Sequence, residues 1–161
     1  MDTSFILDFI YETAYFLIVF GVFLFIAIFK GRQAIINLIL SLYLALLISI
    51  EFPYYAELLE SLSTSQGVAS AKLIIFLAFT IIFSMLCKRI MPDEFREKKF
   101  ESLGRKIILG IAATTLVMVF SFQVLPVTEF LNPGTPIQSL FAPSEYFFWW
   151  LVFPLVVLFL I

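Results

Sequence analysis

The chain has 161 residues, of which 62% are hydrophobic and 14% are charged, and its formal net charge is −2. So large an apolar fraction excludes a soluble globular domain, which would expose more hydrophobic surface than water tolerates. Because histidine is absent and Cys87 is the single cysteine, most zinc, haem and iron–sulfur sites and any internal disulfide are excluded, and we expect no metal and no cofactor.

Apolar segments recur along the whole chain. Since an apolar bilayer core of about 30 Å needs roughly 20 helical residues per crossing, the length allows four or five crossings in a single integral membrane domain, residues 1–161. Four transmembrane helices are predicted, over 13–29, 33–50, 71–87 and 107–125. The predicted fold is therefore an all-α polytopic membrane protein.

A fifth apolar segment, 146–161, follows a polar loop that contains several prolines. As a helix it would be only about 24 Å long, which is short for a crossing. A fifth crossing, a re-entrant hairpin and a slanted interfacial helix all remain open. Insertion into the membrane is favoured, because the segment has no polar face to lie against water.

The connector 88–106 is the most charged part of the sequence. Met91, Phe95 and Leu103 interleave with its charges at near-helical spacing after Pro92. This pattern is typical of a short helix at the membrane surface, and a solvated connector is the alternative.

The cations are sorted along the chain. Nine of the ten Lys and Arg residues fall in the turn after the first crossing or in the connector 88–106, and Lys72 is the exception. The positive-inside rule therefore predicts that these two segments are cytoplasmic and that the amino terminus is outside. The aromatic belt agrees, because seven aromatic residues fall near the outer boundary, namely Tyr11, Tyr15, Tyr54, Tyr55, Tyr146, Trp149 and Trp150. The residues predicted to determine the topology are Lys30, Arg32, Lys88, Arg89, Arg105 and Lys106.

A line of small or polar residues recurs every four residues along the second predicted helix, from Gln33 to Ser49. In lipid such a stripe is where another helix packs, although it could also line a polar path. A similar line on the fourth predicted helix is a candidate partner, and the third helix has a less regular set. The predicted helix-packing seam consists of Asn37, Ser41, Ala45, Ser49, Gly110, Thr114, Val117 and Ser121.

Catalytic groups are not evident. The acids and Lys72 that flank the crossings lie at an outer edge, where they can reach water, and none lies in mid-span. The serines and threonines have no positioned base, and no glycine-rich phosphate loop occurs. We therefore predict no catalytic residue and no enzyme activity.

The order of these features resembles the colicin V production protein family of bacterial inner-membrane proteins. The likeness rests on the basic-glycine pair Lys30-Gly31 leading directly into a second crossing, an acidic and aromatic outer loop, a charged connector and an aromatic carboxy-terminal segment. Gly110 and Thr114 lie where that family tends to repeat glycine. The resemblance implies a role in colicin V production and envelope maintenance at the bacterial cytoplasmic membrane, with no known catalytic residues.

The sequence thus favours a non-enzymatic scaffold or packing partner. We expect it to contact the lipid bilayer, to form a homo-oligomer or join another membrane protein, and to bind no nucleic acid. One alternative is a small transporter or pore subunit, with its solute unspecified, lined by Asn37, Ser41, Thr114 and Ser121. Another is a holin-like permeabilising protein.

Overall fold

The computed structural model describes residues 3–60, 64–91, 103–124, 136–141 and 143–161. These residues form helices and contain no strand, which confirms the predicted all-α architecture. In chain order the helices are α1 (Thr3–Lys30), α2 (Arg32–Ile50), α3 (Tyr55–Glu60), α4 (Ser65–Ile90), α5 (Leu103–Gln123), α6 (Pro136–Phe141) and α7 (Ser144–Leu160).

Four of these helices, α1, α2, α4 and α5, are long and apolar enough to cross a membrane. They correspond to the four predicted crossings, but all four begin earlier than predicted, α2 by a single residue. α1 begins at Thr3, and α4 begins at Ser65 because the Thr64 hydroxyl accepts a hydrogen bond from the Gly67 backbone N–H at 3.2 Å. Residues 65–70 thus belong to α4, although the predicted helix begins at 71.

The boundaries of the connector also differ from the prediction. α4 continues to Ile90 and α5 begins at Leu103, so residues at both ends of the connector 88–106 are helical. Residues 92–102, which include most of the predicted surface helix, lie outside the described residues, as does the predicted end of the fourth crossing at Leu125. The short helices α3 and α6 occupy positions that the sequence analysis had assigned to polar loops.

α5 is the central helix of the bundle. It packs against α1, α2 and α7, whereas α4 packs mainly on α2. In α5, 61% of the apolar span is buried, against 12% in α1 and 17% in α4. α1 and α4 therefore lie on the outside of the bundle. Its fully buried side chains include Leu109, Leu116, Met118 and Phe120.

Long helices that follow one another in the chain run antiparallel, and so do α1 and α5, whereas α2 and α5 both begin at the same end and run parallel. Gly110 near the start of α5 lies against Leu24 near the end of α1, and at the other end Tyr15 is hydrogen-bonded to Ser121. Beyond the end of α2, the Tyr55 ring lies 5.9 Å from the Lys72 ammonium near the start of α4, so these two helices are antiparallel as well. Lys30, Arg32, Lys88, Arg89, Arg105 and Lys106 therefore lie at one end of the bundle, which we call the basic end. The opposite end, called the acidic end, carries Glu51, Glu57, Glu60 and Glu145.

α7 lies against the bundle rather than apart from it. Its side chains contact the core from Phe147 to Ile161, and the Tyr43 hydroxyl of α2 donates a hydrogen bond to the Leu151 carbonyl. The helix continues through Pro154, which is buried. This contact along its length favours insertion beside α5 over a slanted interfacial helix.

Candidate functional site

The predicted seam on α2 is buried inside the chain. Asn37, Ser41, Ala45 and Ser49 are all at most 5% exposed. Two of its hydroxyls have partners: Ser41 Oγ donates to the Asn37 carbonyl at 2.5 Å, and Ser49 Oγ is hydrogen-bonded to the Tyr55 hydroxyl at 2.6 Å. The seam is therefore an intramolecular packing surface in the single chain.

The helix that covers this seam is α4. At 100° per residue, Ser41 and Ala45 lie about 160° around the α2 axis from Tyr43, which is nearly the opposite side of the helix. Tyr43 contacts α5 and α7, so the seam faces away from those two helices. At the acidic end, the Tyr55 ring that adjoins Ser49 lies 5.9 Å from the Lys72 ammonium of α4. The side of α2 that carries the seam thus faces α4.

The face that α4 presents to α2 follows a heptad pattern. Its buried or half-buried residues recur at alternating steps of four and three, the spacing of a left-handed helix pair. They are Ala69, Leu73, Phe76, Thr80, Phe83 and Cys87. The small residues of this helix do not predict this face, because it includes large side chains; Thr80 is buried in it, whereas Ala78 is exposed. Heptad spacing was the signal that would have found it.

The predicted line on α5 packs on α1 instead of meeting the α2 seam. A Cβ atom at Gly110 would lie 3.5 Å from Phe20 Cε2 and 3.8 Å from the Leu24 backbone nitrogen. At the acidic end of the same line, Ser121 is hydrogen-bonded to Tyr15 at 3.0 Å. Between them, Thr114 is fully buried and Val117 is half-buried. The two lines are thus at least half-buried within the chain, and the α5 line contacts α1 at its two ends, not α2.

The polar atoms of these seams are mostly satisfied within the chain. Thr114 Oγ1 donates to the Gly110 carbonyl at 2.7 Å, and Gln33 Nε2 donates to Asn37 Oδ1 at 3.1 Å. Asn37 Nδ2 is an exception: it is buried and has no hydrogen-bond partner among the described residues. A buried amide donor without a partner is costly, so Asn37 is the one seam residue whose chemistry packing alone does not explain.

An aromatic cluster joins three helices where α2, α4 and α5 meet. The ring of Phe120, which is fully buried on α5, makes edge contacts with Tyr43 at 6.4 Å and with Phe76 at 6.0 Å. Edge-to-face pairs of this kind stabilise a core beyond simple burial. Nothing in the sequence distinguishes Phe120, because phenylalanine is common throughout this chain and its positions carry no distinguishing period.

The topology-determining cations differ in exposure. Lys30, Lys88, Arg89 and Arg105 are exposed and Arg32 is half-buried, as expected for residues that end membrane spans. Lys106 is only 4% exposed, although it lies in the first turn of α5. This burial could not be predicted from the sequence. Residue 106 lies one turn before Gly110, and that spacing indicates burial only once this face of α5 is known to pack on α1.

A groove of about 550 Å³ opens between α6 and α7 at the acidic end, lined by apolar and aromatic side chains. The Trp150 indole N–H in its wall donates to the Leu140 carbonyl at 3.1 Å, so that polar group is already satisfied. The described residues contain no group of three or more His, Cys, Asp or Glu side chains that could hold a metal ion.

Four long apolar helices packed into one bundle define a multi-pass α-helical membrane protein. Comparison with known proteins adds no closer assignment, since no family model, curated protein or solved structure matches the chain.

Proposed function

We propose that the protein is a non-enzymatic scaffold of the bacterial cytoplasmic membrane. In this proposal it acts in envelope maintenance or export, the role implied by the resemblance to the colicin V production family. It works by packing against a second copy of itself or against another membrane protein. The small-residue seams of α2 and α5 are used within the chain, so a partner has to use a different surface.

The observation that supports this proposal is Gly21 on α1. It lies near the middle of the span, is exposed, and has no atom within 4 Å of the position where a Cβ would lie. Glycine in a helix interior costs about 0.5–1 kcal/mol relative to alanine, and nothing within the described chain compensates for that cost. In membranes, small residues allow the backbone of a second helix to approach closely. The outer face of α1 at Gly21 is therefore the proposed partner surface.

The experiment is the substitution Gly21→Leu in the full chain. Because the site is open, the fold should be kept, as checked by circular dichroism and by unfolding in mixed micelles. The mass of the solubilised protein, measured by light scattering, and crosslinking in native membranes should both report loss of association.

Gly104→Leu is the matched control, since Gly104 is equally open but lies in the first turn of α5. It should leave association unchanged. Association of Gly21→Leu equal to that of the unmodified protein, with the fold intact, would refute the proposed surface.

The orientation forms part of this proposal. With the basic end in the cytoplasm, the amino terminus lies outside, as the positive-inside rule predicts. Lys72, the one described cation away from the basic end, is half-buried and stacked over the Tyr55 ring, an arrangement that a cation–π contact stabilises.

One observation favours a transporter or pore subunit as the second candidate, namely the unpartnered Asn37 amide. The other proposed lining groups have partners within the chain: Ser41 and Thr114 donate to carbonyls of their own helices, and Ser121 binds Tyr15. Solute flux through proteoliposomes distinguishes the two candidates. A scaffold passes no solute above the background of empty vesicles, and a pore loses its flux on Asn37→Leu.

A further inference from the structure

The groove between α6 and α7 is built by contacts within the chain. Trp150, which is half-buried in its wall, attaches α6 to α7 in two ways. The Trp150 indole N–H donates to the Leu140 carbonyl at 3.1 Å, and the Trp150 ring lies 5.0 Å from the ring of Phe141, which is buried. The groove is therefore a defined feature of this pair of helices and not a gap between unconnected segments.

The length of the groove matches one leaflet of the bilayer. Its lining on α7 runs from Tyr146, in the first turn, to Val156, a distance of about 15 Å at 1.5 Å per residue. Half of an apolar core of about 30 Å is also about 15 Å. Tyr146 and Trp149 are exposed near the start of the helix, and such residues lie at the headgroup level. The groove thus extends from the headgroups at the acidic end to the middle of the bilayer.

The width of the groove distinguishes a hydrocarbon chain from a second helix. A volume of about 550 Å³ spread over about 15 Å leaves a cross-section of roughly 35–40 Å². An α-helix with its side chains is about 10–12 Å across and therefore needs roughly 80–110 Å². A second helix is too wide for this groove. A single acyl chain, which has no side groups, fits it, and the lining is apolar and aromatic as such a chain requires.

Charge at the mouth of the groove favours one kind of headgroup. Glu145 is exposed in the first turn of α7, next to the lining residue Tyr146. Lys72 is the one described cation at this end, and its ammonium is already placed over the Tyr55 ring. Negative charge repels an anionic headgroup and attracts an ammonium, and a primary ammonium can also donate hydrogen bonds to a carboxylate. The mouth therefore fits a headgroup that carries a primary ammonium.

We propose that the groove between α6 and α7 binds one acyl chain of a phospholipid whose headgroup carries a primary ammonium, with that ammonium at Glu145. The lipid belongs to the leaflet at the acidic end. This inference goes beyond the scaffold proposal and does not depend on it, because the groove and the open site at Gly21 are on different helices.

The test measures quenching of tryptophan fluorescence by lipids brominated at the middle of their acyl chains. The chain has two tryptophans, Trp149 and Trp150, and both line the groove, so a brominated chain bound there lies against them. The full chain is placed in vesicles of phosphatidylcholine, to which brominated phosphatidylethanolamine or brominated phosphatidylglycerol with the same chains is added in steps. Quenching by the phosphatidylethanolamine should saturate, with an apparent affinity about fivefold above that of the phosphatidylglycerol, the effect of one charge at a membrane surface.

Two pairs of variants test the chain site and the headgroup separately. Val156→Phe should fill the deep end of the groove and remove the saturating quenching, whereas Leu155→Phe, at an exposed position outside the lining, should keep it. Glu145→Gln should reduce the preference for phosphatidylethanolamine to less than twofold. Glu57→Gln removes the same charge from an exposed position on α3 and should leave the preference unchanged. If Val156→Phe loses helix content, Leu140→Phe fills the groove from the α6 side.

Four results would overturn the proposal. Saturating quenching that persists in a folded Val156→Phe variant would show that the chain binds elsewhere. Equal affinity for the two brominated lipids would exclude recognition of the headgroup. Equal loss of the preference in Glu145→Gln and Glu57→Gln would show a diffuse surface attraction instead of a site. Quenching that increases when the protein is diluted in lipid would show that a second copy of the chain occupies the groove.

Discussion

Truncation of Phe120 to alanine should remove the aromatic cluster that joins α2, α4 and α5. In water, such a truncation would also lose the free energy of transferring the side chain out of water. In lipid that contribution is largely absent, because the unfolded helices remain in an apolar medium. A cavity of about 100 Å³ at about 24 cal/mol per Å³ still costs about 2.4 kcal/mol. Loss of the edge contacts with Tyr43 and Phe76 adds about 0.5–1.5 kcal/mol each. We therefore expect Phe120→Ala to lower the free energy of unfolding by about 3–5 kcal/mol.

Reversible unfolding of the full chain by sodium dodecyl sulfate in mixed micelles measures this quantity, with helix content as the signal. Phe159→Ala is the matched control, because Phe159 is 89% exposed and meets lipid in both the folded and the unfolded chain. It should change the free energy of unfolding by less than about 0.5 kcal/mol. A loss in Phe120→Ala that lies within about 1 kcal/mol of the control would refute the reasoning about the cluster.

Three further predictions concern the seams and the orientation. Gly110→Ala should be tolerated, since its Cβ would meet ordinary van der Waals contacts. Gly110→Leu should lower the free energy of unfolding by about 1–3 kcal/mol in the same assay. Equal stability of the two variants would contradict the close approach of α1. Asn37→Leu should leave the free energy of unfolding equal to or above that of the unmodified chain, because it removes an unpartnered buried donor. A decrease in the free energy of unfolding by more than about 1 kcal/mol would indicate that the amide has a partner. With Cys87 replaced by serine, an impermeant thiol reagent added outside should label Ser65→Cys but not Gly104→Cys, and labelling of both from one side would contradict the antiparallel arrangement.

The four crossings were predictable because each is a nearly unbroken apolar run, and the grouping of cations at one end followed from the same alternation. The helix starts were less predictable. At Ser65 the polar residues resemble a loop, and only the cap formed by Thr64 reveals a helix. α3 and α6 escaped prediction because a six-residue helix has too few turns to show a period.

Burial of the seam residues followed from their chemistry, but the choice of neighbour did not. A small residue indicates that a backbone comes close without saying which one, so the lines on α2 and α5 appeared complementary although Gly110 meets α1. The partner face on α4 contains large residues such as Phe76 and was overlooked for that reason. Lys106 illustrates the same limit, since burial of a lysine at a helix start depends on which helix lies beside it.

The turn between α1 and α2 has a consequence for biogenesis. Gly31 is the only residue between the two helices, and its backbone, with φ 87° and ψ 173°, adopts a conformation essentially restricted to glycine. Two spans joined by one residue leave no loop to carry across a bilayer separately. We therefore expect α1 and α2 to enter the membrane together as a helical hairpin, with Lys30 and Arg32 at its tip.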